Sequence, residues 1–356
     1  MLTPSCRPLL IGSLPLTDHH QAVTTIMEYC PEIPLWPQLP KHHREGMVRQ
    51  FLSGFPGLTE DGKKFWIDTR KESFTDEMTG FYEDHIAAAD DLSFFQSSRF
   101  GLHNDTAPGF LALTQHLEDN SIQPYTVKGQ VTGPVTTGIG TRDDQDRSIF
   151  YDDSLRDILV KLLAGKARWQ VIELKKLTGK TPPIVFIDEP GMVSFGSSAF
   201  TGVTAEMVGE AVGEVIESIH EAGGLAGIHI CANGDWGPAL LSETDIISFD
   251  AYSYFDNFIL FKDHLCSFLQ RGGFLAWGIV PTGDPIAVEK ETSITLFARW
   301  QEQVQKLSSF GISQEQLLKQ TFITPACGTG SLSPELALKV LTMNRELSEL
   351  ARSFKP

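Results

Sequence analysis

From Tyr125 onward the chain alternates short apolar runs with longer amphipathic stretches, and this alternation narrows the choice of fold more than any other feature. Runs that read as strands fall at 125–131, 184–188, 225–230, 246–250, 274–280 and 321–325. The stretches 153–177, 203–222, 258–271, 291–309 and 334–353 read as the helices that follow them. Strand then helix, repeated, is the pattern of a parallel sheet with helical crossovers. The strand runs are continuously apolar rather than alternating, as expected where both faces of a sheet are covered. Leu9-Leu10-Ile11 adds a seventh strand, and an eighth is expected somewhere in residues 13–124. This predicts an α/β fold, a single (β/α)8 TIM barrel formed by residues 1–356, and not a two-domain chain.

The N-terminal third is less regular. Asp18 to Tyr29 reads as a helix, and Pro31, Pro34, Pro37 and Pro40 mark a long connection. Residues 57–80 mix Gly, Asp, Lys and aromatics without a period, which suggests an excursion over one mouth of the fold with a short hairpin. Glu83 to Arg99 reads as a further helix. The irregular excursion as a whole is expected over about 31–120, and its role as a lid is left open.

Several function classes are disfavoured at once. No Gly-x-Gly-x-x-Gly turn and no Gly-rich loop ending in Gly-Lys-Ser/Thr follows a strand, so a nucleotide fold is not expected. With 29 basic against 45 acidic residues the net charge is −16, which argues against a nucleic-acid partner. No apolar run approaches the ~18 residues of a membrane span, and Met1 to Ile11 lacks the features of a cleaved secretory signal. Five scattered cysteines fit a reducing, cytoplasmic setting better than a disulfide framework. The sequence sets no oligomeric state.

Polar residues collect where the strands end: Gly12-Ser13, Lys128-Gly129-Gln130, Asp188-Glu189-Pro190, His229-Ile230-Cys231, Asp250 and Pro325-Ala326-Cys327-Gly328. In a closed barrel these ends share one mouth. Residues two apart on a strand project from one face, so His229 and Cys231 can enter the same site. Imidazole and thiolate together suit zinc. Cys327 is a third candidate ligand, and Asp250 could add a carboxylate oxygen. The alternative is a buried thiol beside a hydrogen-bonded histidine, with no metal. Asp188 and Glu189 are candidate catalytic carboxylates, of which one at most is well aimed; helix capping is the alternative for the pair. Gly12-Ser13 offers backbone amides and a hydroxyl to a substrate carboxylate, or merely caps the next helix. Cys6, Cys30, Cys266 and Trp277 read as core, and His42-His43 as exposed loop.

Taken in order, Ile11-Gly12-Ser13, Gly129-Gln130-Val131-Thr132-Gly133-Pro134, Ile187-Asp188-Glu189-Pro190, His229-Ile230-Cys231 and Pro325-Ala326-Cys327-Gly328 resemble the catalytic domain of the cobalamin-independent methionine synthases. The chain is similar, from about residue 8 to residue 350, to the wider superfamily that includes uroporphyrinogen decarboxylase and the corrinoid-dependent methyltransferases. The resemblance implies a barrel holding one zinc through His229, Cys231 and Cys327, with Asp250 standing where the family has a glutamate ligand. It implies that Ile11, Gly12 and Ser13 hold an amino-acid carboxylate and that Asp188 holds its ammonium. The implied reaction is methyl transfer to a small thiol, homocysteine giving methionine in the family. Two departures bear on the donor. At 356 residues the chain has no room for the family's second barrel, and Ile279-Val280-Pro281-Thr282-Gly283-Asp284 lacks the histidine that serves the leaving folate. A methylated corrinoid carried by a partner protein is therefore favoured over folate. The alternatives are a uroporphyrinogen decarboxylase-like enzyme, whose early arginine-rich motif is missing here, and a non-catalytic barrel that binds a corrinoid protein.

Overall fold

Six apolar runs pair side by side in chain order to form one parallel sheet. In the computed structural model, which describes residues 2–194 and 202–355, the chain begins with α1 (His19–Tyr29). A hairpin of β1 (Leu58–Asp61) and β2 (Lys64–Ile67) follows, then α2 (Phe74–Asp90), α3 (Leu92–Ser97) and α4 (Pro108–Asp119). Next come β3 (Lys128–Thr132), α5 (Pro134–Gly140), α6 (Asp153–Lys175), β4 (Ile184–Asp188), α7 (Ala205–Glu221), β5 (Leu225–Ile230), α8 (Gly237–Leu241) and β6 (Ile246–Phe249). The chain ends with α9 (Ala251–Phe258), α10 (Lys262–Gln270), β7 (Phe274–Val280), α11 (Pro285–Lys290), α12 (Ser293–Ser308), α13 (Gln314–Lys319), β8 (Thr321–Pro325) and α14 (Pro334–Ser353). The sheet order is β3-β4-β5-β6-β7-β8, parallel throughout.

The period of two along the strands separates two apolar cores. Ile184, Phe186, Ile246, Ala276 and Phe322 pack with Leu10 and Leu35 on one face of the sheet. Val185, Ile187, Ile228, Ile247, Leu275 and Ile323 pack against the helices on the other. Gly227 is required by this arrangement, since a Cβ there would stand 2.3 Å from the Phe186 ring. Trp277 belongs to the helix side, stacked on Phe255, its indole N–H donating to Gln303 Oε1 at 2.7 Å.

Beyond β8 the pairing continues as single parallel bridges. Pro8 bridges to Ile323, Ser13 to Gln38, and Leu35 to Lys128 of β3. Backbone bonds from Leu9 N to Ile323 O and from Lys128 N to Pro34 O, at 2.9 Å each, accompany them. Leu9–Ile11 is thus bridged and not a regular strand.

Helix positions largely follow the amphipathic stretches. Ser333 accepts the Leu336 N–H ahead of Pro334, which starts α14 where the sequence places it. The excursion departs from expectation. The expected helix at 83–99 is two helices set earlier, α2 and α3, divided at Asp91, which accepts the Ser93 and Phe94 N–H groups as the N-cap of α3. Residues 31–120 also hold α4, so the segment is more ordered than its sequence suggests. None of the described helices is long and apolar enough to cross a membrane.

The excursion is tied to α6 by a buried lysine. Lys166 of α6 donates to the carbonyls of Arg99 and Gly101, at 3.1 Å each. Burial pulls its ammonium down to about 7. The unfolded chain keeps that proton to about pH 10, so between pH 7 and 10 the unfolded state binds more protons and stability rises with pH, by at most ~1.4 kcal/mol per unit. Lys166→Met removes this rise. Urea unfolding at pH 7.5 and 9.5 should show a gain in the parent chain that exceeds the mutant's by up to about 2–3 kcal/mol. Equal gains would show that Lys166 stays charged in the folded state.

Candidate metal centre

The register sets one polar layer at the carboxyl ends of the strands. Thr132 pairs with Asp188, Asp188 with His229, and His229 with Ser248. Four polar side chains in successive strands, directly above the Phe186 layer, lie at the carboxyl ends of the strands, where parallel α/β sheets bind ligands.

His229 is buried, and its Nδ1 lies 2.9 Å from Ser248 Oγ. Its Nε2 is buried without a hydrogen-bond partner among the described residues. Cys231, two residues on, and Cys327, after β8, are half-buried free thiols. One ligand atom from each of His229, Cys231 and Cys327 lies within 4.8 Å of the other two. One imidazole and two thiols are the donor set of a zinc site, and a hydrogen-bonded partner on the other ring nitrogen, here the Ser248 hydroxyl on Nδ1, is the usual means of orienting such a ligand. These residues fit zinc. The neighbouring Cys327 thiol and His229 pull Cys231 well below the usual thiol range. The same contact, with burial, pushes Cys327 up. The contact thus favours the charged form at Cys231 and disfavours it at Cys327.

Asp250 is outside the group whose ligand atoms converge within 4.8 Å. Its carboxylate accepts the Ser253 N–H at 2.8 Å and caps α9. Burial raises its carboxyl above the usual range, and Cys231 is near enough to help raise it.

Asp188, the last residue of β4, and Glu189, the first beyond it, face different surroundings. Asp188 is buried with Oδ1 unpartnered among the described residues. Burial raises its carboxyl, opposed by His229 and by Lys128. Glu189 is fully buried and committed to α5. Its Oε1 accepts the Val135 N–H at 2.9 Å, and its Oε2 accepts the Thr136 N–H at 2.9 Å and hydroxyl at 2.6 Å. Burial still pushes it up to about 7. Gly133 admits this approach, because a Cβ there would stand 2.1 Å from Glu189 Oε1.

Ile11, Gly12 and Ser13 line a small recess of about 10 Å³, room for about one water molecule, shared with Cys327, Gly328 and Thr329. Ser13 is locked to that loop: its carbonyl accepts the Thr329 N–H at 2.9 Å, and its Oγ accepts the Gly330 N–H at 3.3 Å. The N–H groups of Gly12 and Ser13 make no hydrogen bond among the described residues. Beneath them Lys128, fully buried, donates from Nζ to the Ile11 carbonyl at 2.5 Å and lies 4.4 Å from the Phe186 ring centroid. Burial brings its ammonium down to about 8.

Sequence reasoning missed Ser248 and the use made of Lys128, because both depend on register with distant segments. It also missed a group at the excursion, where His19 Nε2 lies 2.8 Å from Glu45 Oε1 and His42 stacks on His19 at 20° between planes. Near-parallel rings direct their in-plane lone pairs side by side, so this group reads as a hydrogen-bonded cluster. Cys6 and Cys30 are buried thiols pushed up to about 12 by burial, and Cys266 packs at the edge of the core.

No protein-family model matches this chain, and no curated protein matches it. Among solved structures the chain is similar to a B12-independent methionine synthase from Shewanella sp. W3-18-1 in complex with selenomethionine, with 18% identity and a TM-score of 0.47. The match covers 68% of this chain and 66% of that one, so the chain spans a little under two thirds of that protein's length.

Proposed function

We propose that this protein is a zinc-dependent methyltransferase acting on a small amino thiol such as homocysteine. The observation that carries this reading is the convergence of the buried, unpartnered His229 Nε2 with the thiols of Cys231 and Cys327. The same strand ends hold Asp188, and Gly12 and Ser13 share a recess with Cys327. The bridges at Pro8, Ser13 and Leu35 are read as completing an eight-membered barrel, one domain whose single mouth is this site.

The chain's residues divide the work. His229, Cys231 and Cys327 hold the metal, and Ser248 keeps the imidazole turned toward it. A zinc ion bound there would keep the acceptor thiol deprotonated near neutral pH. The unpaired Asp188 oxygen binds the substrate ammonium, which relieves a buried carboxylate that otherwise lacks a partner. The free N–H groups of Gly12 and Ser13 receive the substrate carboxylate, and Lys128 holds that segment in place through the Ile11 carbonyl. With both ends of the amino acid fixed, its sulfur is aligned for in-line attack on the methyl carbon while the donor atom leaves with the bonding electrons. Asp250 serves α9 and is available as an exchangeable oxygen ligand.

The donor follows from what the β7–β8 crossover offers. The segment 279–284 has no histidine, and Asp284 accepts the Ile286 N–H as the N-cap of α11. A leaving cobalt centre needs no proton, so a methylated corrinoid on a partner protein is the donor proposed, in the reducing cytoplasm where both thiols persist. The zinc-loaded protein should methylate homocysteine from methylcobalamin and not from 5-methyltetrahydrofolate. Turnover with the folate, or with neither, would overturn the assignment.

Asp188→Asn tests the ammonium role. We expect kcat/KM for homocysteine to fall about 10–100-fold, in line with the loss of one charged hydrogen bond. Activity on 4-mercaptobutanoate, which lacks the amino group, should change by less than threefold. An equal loss on both thiols would place Asp188 elsewhere in the reaction.

A further inference from the structure

The outer helical layer is uneven. The crossover from β3 to β4 carries the 23-residue α6, that from β4 to β5 the 17-residue α7, and that from β7 to β8 the 16-residue α12. The crossover from β5 to β6 carries only α8, five residues long. Beside this thin crossover lies a groove of about 1450 Å³, bordered by α2, α3, α6, α7, α8 and α10.

α7 presents two kinds of residue to the groove. Ala205, Gly209 and Gly213 recur one turn apart, and a Cβ added at either glycine meets nothing within 4 Å. A ligand backbone can therefore approach closely. Phe95, Ile216, Leu241 and Phe261 supply apolar surface around this stripe, Leu241 being 61% exposed. Alongside it Glu210, Glu214, Glu217 and Glu221 follow the three- and four-residue spacing of one helix face. Among the described residues only Glu214 of these four has an ion-pair partner, Lys161 at 3.6 Å. Like charges at that spacing repel; Lys161 and Arg168 also line the groove, but against these four glutamates, Asp235 and Glu243 they leave it net negative, which suits positive charge from outside. The trough runs beside α7, which is about 25 Å long at the usual helical rise.

We propose that this groove docks a basic amphipathic α-helix of a partner protein. Its apolar face would lie on the Gly209–Gly213 stripe, with its Lys and Arg side chains on the glutamate row. Such a helix supplies the layer that the β5–β6 crossover omits, by the helix-in-groove mode of recognition. A second copy of this chain is a poor occupant on charge, since each copy carries −16.

The test uses the full chain and a fluorescein-labelled 18-residue Leu/Lys peptide patterned as an amphipathic helix, with its Leu/Glu counterpart as control. Fluorescence anisotropy at 0.15 M salt should show saturable one-to-one binding of the Leu/Lys peptide alone. Gly213→Leu, which blocks the stripe and leaves the charge unchanged, should weaken it at least 10-fold. The double variant E210Q/E217Q, which keeps the shape, should do the same and so covers the case in which Gly213→Leu fails to fold. An affinity within twofold of the parent in either folded variant would overturn the proposal, as diffuse attraction to an acidic protein. So would sedimentation of the parent as a dimer that Gly213→Leu separates.

Discussion

Cys231→Ser and Cys327→Ser are each expected to fold as the parent does and to lose both bound zinc and methyl transfer. Each thiol is only half-buried and lies in a strand-end loop, not in a packed layer, so the serine costs little stability. In the proposed site each would supply one of three protein donors, and a hydroxyl is a poor substitute for a thiolate at zinc. Metal analysis after reconstitution should give less than 0.1 zinc per chain against about one in the parent, and activity should fall at least ~10³-fold, the scale expected when a preorganised activating group is removed. Asp250→Ala provides the contrast. Its carboxylate is occupied with the Ser253 N–H, so we expect zinc to be retained and the rate to fall by less than about 10-fold. Full zinc occupancy in both cysteine variants would return the pair to the status of neighbouring thiols.

Glu189→Ala should be the most destabilising single change at the strand ends. The buried carboxylate satisfies two backbone N–H groups and a hydroxyl at the start of α5. Its removal strands those donors in a cavity, at a cost of about 3–5 kcal/mol by urea unfolding. Glu189→Gln keeps an acceptor in place and should cost about half as much. Among molecules that remain folded, turnover per bound zinc should stay within about threefold in Glu189→Gln. Collapse of turnover with unchanged stability would instead make Glu189 a reacting carboxylate and leave Asp188 the lesser partner.

The parts of the fold that the sequence makes legible are those governed by local rules. The runs that became β4, β5 and β8 are continuously apolar because helices cover one side and a core the other, and their limits match within a residue. α14 announces itself through Ser333 and Pro334. The segments at 8–13 and 34–38 are harder to read. Pro34 and Pro37 lack the N–H groups a ladder needs, so pairing is reduced to single bridges. In the excursion, α2 begins at Phe74 without a side-chain cap and contains Gly80, which removes the usual start signal. The division at Asp91 depends on that residue serving as a cap rather than as a surface charge.

The site divides along the same line. His229 and Cys231 are visible through the two-residue period of a strand, and Cys327 through its place at a strand end. Ser248 and Lys128 come into play only through register with residues 19 and 117 positions away. No local pattern encodes those distances. Glu189 shows the limit from the other side: two adjacent carboxylates look alike in sequence, and only the fold sends Asp188 into the polar layer beside His229 and Glu189 to the start of α5.

X-ray absorption at the zinc edge, with and without homocysteine, tests the central claim most directly. The account predicts about one zinc per chain with two sulfur neighbours and at least one nitrogen neighbour, rising to three sulfurs when the thiol is added. A reconstituted protein that binds no zinc, or a sulfur count that stays at two with saturating homocysteine, would contradict it.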